Sequence, residues 1–196
     1  MPRLARPFFI ALISAVLISG CAAPVIVAGG ALAGAAVVDR RDANAIIDDN
    51  NITLTIEEKI YTDDSIKRHI HVNVTSYNGI VLLTGEVPTA ELRNAVVRHA
   101  QHAKKVKQIH NETIIAPASD FKSRRQDTWI TTKVKSALLS EKNINGLHFK
   151  VVTENQIVYL MGLVTREEGD IAANAARQVN GVKQIIKLFE YQQASK

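Results

Sequence analysis

The feature that most constrains the fold of this chain is an internal repeat. Residues 72–87 align with residues 149–164 at an offset of 77, and the segments 105–109 and 181–185, which share Val-Lys-Gln-Ile, align at an offset of 76. Internal duplication outranks local cues when an architecture is assigned. The repeat therefore predicts two tandem domains of about 65 residues, at 48–115 and 127–196, joined by a linker at 116–126.

Each copy has the same order of predicted elements. A helix comes first, with a branched apolar residue at every fourth position: Ile52, Ile56 and Ile60 in the first copy, and Ile130, Val134 and Leu138 in the second. A two-stranded hairpin, a second helix and a last strand follow. The order αββαβ predicts an α+β fold, in which a three-stranded mixed sheet is covered on one face by two helices.

Turn and cap residues refine this prediction. Asn78-Gly79 is a strong signal for a tight hairpin turn, whereas Asn155-Gln156 is a weaker one. The matching residues Gly85 and Gly162 indicate a bulge or a close backbone approach. Asp127 is expected to cap the first helix of the second copy.

The N-terminus has the pattern of a bacterial secretion signal. Arg3 and Arg6 form a basic head, an apolar run follows, and Ser19-Gly20 precedes Cys21, the only cysteine of the chain. This arrangement resembles the lipobox of bacterial lipoproteins. We therefore expect residues 1–20 to be removed and Cys21 to carry acyl chains such as palmitate, which together form a stable membrane anchor. The alternative is a structural cysteine.

Sorting and tethering follow from the next residues. Ala22 resembles an outer-membrane sorting signal, so we expect an outer-membrane protein that is lipid-anchored and faces the periplasm. Residues 22–38 are apolar but are interrupted by Pro24 and three glycines, and they fall short of the roughly 20 strongly apolar residues of a spanning helix. We interpret residues 21–47 as the acylated cysteine and a flexible tether, with the folded part beginning near Asp48.

A family resemblance rests on these motifs. The segment Val-Asn-Val-Thr-Ser-Tyr-Asn-Gly-Ile-Val-Leu-Leu-Thr-Gly at 72–85, the segment Gly-Val-Lys-Gln-Ile at 181–185 and the αββαβ order resemble the BON domain, a bacterial periplasmic module. Two such copies behind a lipobox resemble the dual-BON outer-membrane lipoproteins. The resemblance implies a non-enzymatic module that binds anionic phospholipid, supports outer-membrane integrity and concentrates at division sites.

Charge separates the two copies. Residues 48–115 contain 8 Lys/Arg and 9 Asp/Glu, a balance of −1, whereas residues 121–196 contain 12 and 7, a balance of +5. Each basic residue near an anionic surface contributes about 1 kcal/mol to membrane attraction. The second copy is therefore the predicted membrane-facing one.

Trp129 adds an aromatic residue to this basic copy. At about 100° per residue, the apolar face of its helix is centred about 130° away from Trp129. We therefore expect the indole to point away from the core, near Lys133, with Lys122, Arg124 and Arg125 just upstream. These five residues are the predicted phospholipid site, since an exposed Trp among cations suits the headgroup layer. The resemblance implies the same role for Trp129. The alternative is that the indole packs against the tether or the first copy.

Other classes of site have weaker signals. His69 and His71 share a strand face and His99 and His102 a helix face, but carboxylates at metal-ligand spacing are missing from the sequence, so we expect no metal and no cofactor. Nucleophile elbows, phosphate-binding loops and zinc-protease motifs are also missing, so we expect neither an enzyme nor a small-molecule substrate. Secretion removes nucleic acid as a partner.

Three function classes remain: the first two are compatible with each other, and the third, an envelope hydrolase, is the one that the sequence favours least. The first is an anchored phospholipid-binding module. The second is a protein-interaction adaptor, for outer-membrane barrel assembly or for regulators of peptidoglycan hydrolysis, with the first copy as its docking face.

Overall fold

A computed structural model describes residues 39–68 and 70–193 of the chain. These residues belong to one compact unit, Val37–Lys196. The helices are α1 (Ala43–Thr62), α2 (Ala90–Gln101), α3 (Phe121–Ser140) and α4 (Arg166–Arg177), with a 3-10 turn at Gly146–His148. The strands are β1 (His71–Tyr77), β2 (Ile80–Val87), β3 (Gln108–Asn111), β4 (Ile114–Ile115), β5 (Phe149–Glu154), β6 (Ile157–Val164) and β7 (Gln184–Tyr191).

The two copies fold into the predicted αββαβ domains. In the first domain β2 is central, with β1 antiparallel to it and β3 and β4 parallel to it. Glu112 and Thr113 interrupt the last strand, so one predicted strand becomes two short ones. In the second domain β6 is central, between antiparallel β5 and parallel β7.

Each domain has its own apolar core between its sheet and its two helices. The predicted helix positions are all buried, as are the strand residues that face them. In the first domain this core comprises Ile52, Ile56 and Ile60 from α1, Val96 and Ala100 from α2, and Val72, Val74, Val81, Leu83 and Val87 from the sheet. In the second it comprises Ile130, Val134 and Leu138 from α3, Ala172, Ala173 and Ala176 from α4, and Phe149, Val151, Val158, Leu160 and Val164 from the sheet.

A third apolar cluster joins the two sheets. It is formed by residues on the faces that the helices leave uncovered: Tyr77 and Leu82 of the first domain, and Tyr159, Met161 and Leu188 of the second. The sequence predicted a cover on one face of each sheet only. The structure shows that the other domain covers the second face, so β2 and β6 are buried on both sides.

The hairpin turns are held by buried aspartates. Asn78 and Gly79 both have positive φ, as the tight-turn signal predicts. Asp49 of α1 accepts hydrogen bonds from the backbone N–H groups of both residues, at 2.6 and 2.8 Å. Asp127 of α3 does the same for Asn155 and Gln156, at 2.9 and 2.8 Å. The prediction that Asp127 caps a helix is therefore wrong, because this carboxylate lies inside α3 and binds a turn instead.

Two boundaries also differ from the sequence-based expectation. Helix α3 begins at Phe121 behind Asp120, whose side chain accepts a hydrogen bond from Ser123 N, so residues 121–126 are helical rather than linker. Helix α1 begins at Ala43 behind the cap Asp42, so residues 43–47 belong to the fold and not to the tether. Among the described residues, no helix combines the length and the apolar character that crossing a membrane requires.

Candidate membrane-binding surface

The exposed face of α3 carries alternating aromatic and cationic residues. Phe121, Arg125, Trp129 and Lys133 follow one another at intervals of four, which places them along one stripe of a helix. Phe121 is 68% exposed and Trp129 is 51% exposed. The indole therefore points away from the core, as the helical pattern predicts.

Each cation of this stripe lies over the aromatic ring four residues before it. The guanidinium carbon of Arg125 is 5.7 Å from the centroid of the Phe121 ring, and Lys133 Nζ is 5.2 Å from the centroid of the Trp129 ring. Both distances are within cation–π range. The rings and the charges thus form one continuous surface, which we call the α3 stripe: Phe121, Arg125, Trp129 and Lys133.

Of the two other residues of the predicted site, Lys122 lies beside the α3 stripe and Arg124 does not. Lys122 is exposed and, seven residues before Trp129, it falls within about 20° of Trp129 around the helix. Arg124 is not brought together with the others. It is half-buried on another side of α3, and its Nη1 donates a hydrogen bond to Ser119 O.

Phe121 is the residue of this surface that the sequence analysis missed. With Asp127 as the expected helix cap, Phe121 falls in the predicted linker at 116–126. Its spacing of eight residues from Trp129 was the available signal, since i and i+8 lie on the same side of a helix.

The hydroxyl groups beside the stripe are turned toward the helix backbone. Thr128 Oγ1 donates to Arg124 O at 2.9 Å, and Thr132 Oγ1 donates to Thr128 O at 3.0 Å. These bonds satisfy the hydroxyl protons within the helix. The surface therefore offers aromatic rings and ammonium or guanidinium groups, but few free hydroxyl donors, to whatever it contacts.

The N-terminal side of the fold is fixed to both domains. Arg40 donates two hydrogen bonds of 2.7 Å to the carboxylate of Glu168 at the start of α4. The Arg40 guanidinium is the main cause that holds the pKa of Glu168 down at about 2. Arg41 Nη1 lies 2.9 Å from Asp49 Oδ2, and the Arg41 guanidinium stacks over Tyr77 at 4.1 Å. The predicted acylation site, Cys21, lies outside the described residues.

Comparison with known proteins decides the family. The BON domain matches twice, at residues 48–117 and 126–193. The chain belongs to the BON-domain family. It is 35% identical to the outer membrane lipoprotein DolP of Haemophilus influenzae, over 90% of this chain and 91% of that protein. It is also 35% identical to a 21 kDa hemolysin of Actinobacillus pleuropneumoniae, over 80% of each chain.

These relationships confirm the predicted type of protein. The chain is a dual-BON lipoprotein of the DolP type, and the localisation predicted from residues 1–22 is confirmed: outer membrane, lipid-anchored and facing the periplasm. A solved structure of CdsD, a structural protein of the type III secretion system of Chlamydia trachomatis, has a TM-score of 0.30 and 13% identity over 75% of this chain and 65% of that one. That similarity is too low to bear on the fold or the function.

Proposed function

We propose that this outer-membrane lipoprotein binds anionic phospholipid through the α3 stripe and Lys122, and that this binding supports outer-membrane integrity at division sites. The observation that carries the proposal is the pairing of exposed rings with cations on a single helix face. A binding surface, rather than catalysis, is the activity proposed.

The chemistry of the stripe suits the headgroup layer of a bilayer. Aromatic rings with a polar or charged neighbour are stable where hydrocarbon meets headgroups. Lys122, Arg125 and Lys133 would meet the phosphates at the same depth, where an anionic surface attracts each cation. The stripe lies in the domain whose balance of charge is +5, 12 Lys/Arg against 7 Asp/Glu over residues 121–196.

The exposed part of the Trp129 ring accounts for a definite share of the affinity. Burying about 100 Å² of apolar surface contributes about 2 kcal/mol, which is about thirtyfold in affinity. The cations contribute through attraction that added salt screens. Both parts of the interaction can therefore be measured separately.

The test uses the fragment Val37–Lys196, which is one compact unit without the anchor, and sedimentation with vesicles that contain phosphatidylglycerol. We expect Trp129→Glu to reduce binding at least thirtyfold, and Lys133→Ala to weaken binding and lower its dependence on salt. Thermal unfolding checks that each variant is folded, as expected for a half-exposed side chain.

The matched control is Leu54→Glu, which places the same charge at an exposed apolar site of α1 in the first domain. Leu54 is 64% exposed. This variant should bind vesicles as the unchanged fragment does. Folded Trp129→Glu protein that still binds, or equal losses in both variants, would place the lipid surface elsewhere.

A second candidate function rests on a different surface. Ile47, Leu54 and Tyr61 are exposed on α1 at intervals of seven, so they form one apolar line on the first domain. We propose this line as a docking face for a protein of the outer-membrane barrel-assembly machinery or for a regulator of peptidoglycan hydrolysis. In-cell crosslinking from position 54, compared with position 129, tests it: capture of the same protein from both positions, or of none from position 54, would exclude a docking role specific to the first domain.

A further inference from the structure

A histidine and two glutamates meet where the two domains join. His71 begins β1, Glu86 lies near the end of β2, and Glu154 ends β5 of the second domain. One nitrogen or oxygen from each side chain lies within 4.8 Å of those from the other two. In the sequence His71 pairs with His69, which lies outside the described residues, whereas Glu86 and Glu154 give no local signal because they are 15 and 83 residues from His71 along the chain.

The carboxylates of both glutamates are buried where the two domains join. Glu86 is 2% exposed and Glu154 is 6% exposed. Glu86 has His71 as its ion-pair partner, with Nδ1 and Oε2 2.9 Å apart. Within the described part of the chain, neither glutamate forms an ion pair with a lysine or an arginine. A buried negative charge is costly unless a proton or a cation balances it.

Amide groups from the opposite domain orient both carboxylates. Asn73 Nδ2 of the first domain donates to Glu154 Oε2 of the second at 2.9 Å, and Asn155 Nδ2 of the second donates to Glu86 Oε1 of the first at 2.9 Å. Ser119 N also donates to Glu86 Oε2, at 3.1 Å. Hydrogen bonds of this kind hold ligands in place around protein-bound metals.

Solvent reaches the cluster through a cleft of about 410 Å³ that is lined by both His71 and Glu154. Arg124 and Lys135 line the same cleft. The cleft supplies an entry path and room for a water molecule as an additional ligand.

We propose that His71, Glu86 and Glu154 bind one divalent transition-metal ion, with Zn²⁺ as the best fit, and that the ion links the two BON domains. One imidazole nitrogen and two carboxylate oxygens with an open fourth position form a ligand set that suits zinc, whereas magnesium and calcium prefer oxygen ligands only. Ligands of a tetrahedral zinc lie about 3.4 Å apart, because each bond is about 2.1 Å long. The three ligand atoms now lie within 4.8 Å of one another, with His71 Nδ1 and Glu86 Oε2 2.9 Å apart, so binding requires only small side-chain rotations to reach that spacing.

The proposal does not depend on phospholipid binding, and its test measures the metal directly. The fragment Val37–Lys196 is treated with a chelator, dialysed, and titrated with ZnCl₂ in a calorimeter and in thermal unfolding. We expect one ion per chain. We also expect an increase in Tm of about 5–10 °C when free Zn²⁺ is about a hundredfold above Kd. MgCl₂ at the same concentration should leave Tm unchanged.

Three variants assign the ion to these residues. Glu154→Gln and His71→Gln should each lose most of the zinc-dependent increase in Tm. His102→Gln removes an exposed histidine of the first domain, on another surface, and should keep the full increase. His71 is partly exposed, so His71→Gln remains informative if Glu154→Gln does not fold.

Absence of a zinc effect in the unchanged fragment would overturn the proposal. So would an equal effect in His71→Gln, or loss of the effect in His102→Gln. Trp129→Glu should keep the zinc response even if it loses vesicle binding, so the two proposals can fail separately.

Discussion

Arg40 and Glu168 form a two-pronged ion pair between the segment that precedes the first domain and a helix of the second. Nη1 meets Oε2 and Nη2 meets Oε1, each at 2.7 Å. The side chains are 26% and 16% exposed, so solvent screens the pair only in part. Arg41, the next residue, contacts Asp49 and Tyr77 of the first domain. Arg40 and Arg41, which lie just before the first domain, therefore connect the two domains to each other.

The Arg40–Glu168 pair should stabilise the fold measurably. Arg40→Ala is expected to lower the free energy of unfolding by about 1–3 kcal/mol, because two charge-assisted hydrogen bonds are lost from a partly buried carboxylate. Glu168→Gln is the matched partner variant, since glutamine still completes the capping box with Thr165. Urea unfolding of both single variants and the double variant gives the coupling energy. A coupling energy near zero would mean that the ion pair does not contribute to the free energy of unfolding.

The same pair predicts a dependence of stability on pH. The pKa of Glu168 is lowered to about 2 in the folded protein, chiefly by Arg40, from an ordinary value of 4.5. A lowered carboxyl pKa contributes stability that is complete above the unfolded-state pKa and is lost as pH falls toward the folded-state pKa. The difference in stability between the unchanged protein and Arg40→Ala should therefore be constant above about pH 5 and shrink as pH falls from 4.5 toward 2. A difference that stays constant down to pH 3 would contradict this assignment.

The aspartates that hold the hairpin turns should be indispensable. Asp127→Ala removes the acceptor of two backbone N–H groups, and Asp127 is 5% exposed, so water does not replace it freely. We expect a loss of about 2–4 kcal/mol in the free energy of unfolding. Asp49→Ala is the equivalent change in the first domain and should cost at least as much, because Asp49 also binds Ser76 and Arg41.

A glycine substitution in the turn of the second hairpin should stabilise the fold. Gln156 has a φ of +67°, a conformation in which a residue with a Cβ is strained. The matching residue of the first turn is a glycine, Gly79. Gln156→Gly should raise the free energy of unfolding by about 0.5–1 kcal/mol. A loss of stability in that variant would show that the glutamine side chain has a contact that outweighs its strain.

The second domain alone should fold, but one face of its sheet should then be exposed to water. A fragment from residue 118 keeps the core between α3, α4 and its sheet, yet it exposes Tyr159, Met161 and Leu188 to water. We expect a Tm well below that of the two-domain fragment, binding of a hydrophobic dye, and self-association that rises with concentration. Calorimetry and analytical ultracentrifugation measure these. A fragment that is monomeric and as stable as the whole would mean that the cluster between the sheets contributes little.

The anchor gives a prediction outside the described residues. Cys21→Ser should abolish acyl labelling in cells and release the chain from the outer-membrane fraction, because serine cannot form the thioether. Metabolic labelling with a palmitate analogue and membrane fractionation measure the two effects. Ser19→Thr, which keeps Cys21, is the control and should remain labelled. Continued labelling of Cys21→Ser would exclude this residue as the acylation site.

The sequence by itself determined the two domains, their helices and the outward direction of Trp129. Periodic apolar positions such as Ile130 and Val134 indicate which side of a helix is buried. The repeat indicates the number of domains. Both patterns can be read from the order of residues without knowing which segments touch. Tertiary structure alone decided how the domains meet. The sequence predicted a cover on one face of each sheet, and nothing local identified the second sheet as the cover of the other face of β2. Asp127, Glu86 and Glu154 take their roles from groups that lie 28 to 81 residues away along the chain. A buried carboxylate is stable only where hydrogen-bond donors or a cation offset the loss of its hydration. For these three residues such donors come from other elements of the fold, so the local sequence cannot indicate them.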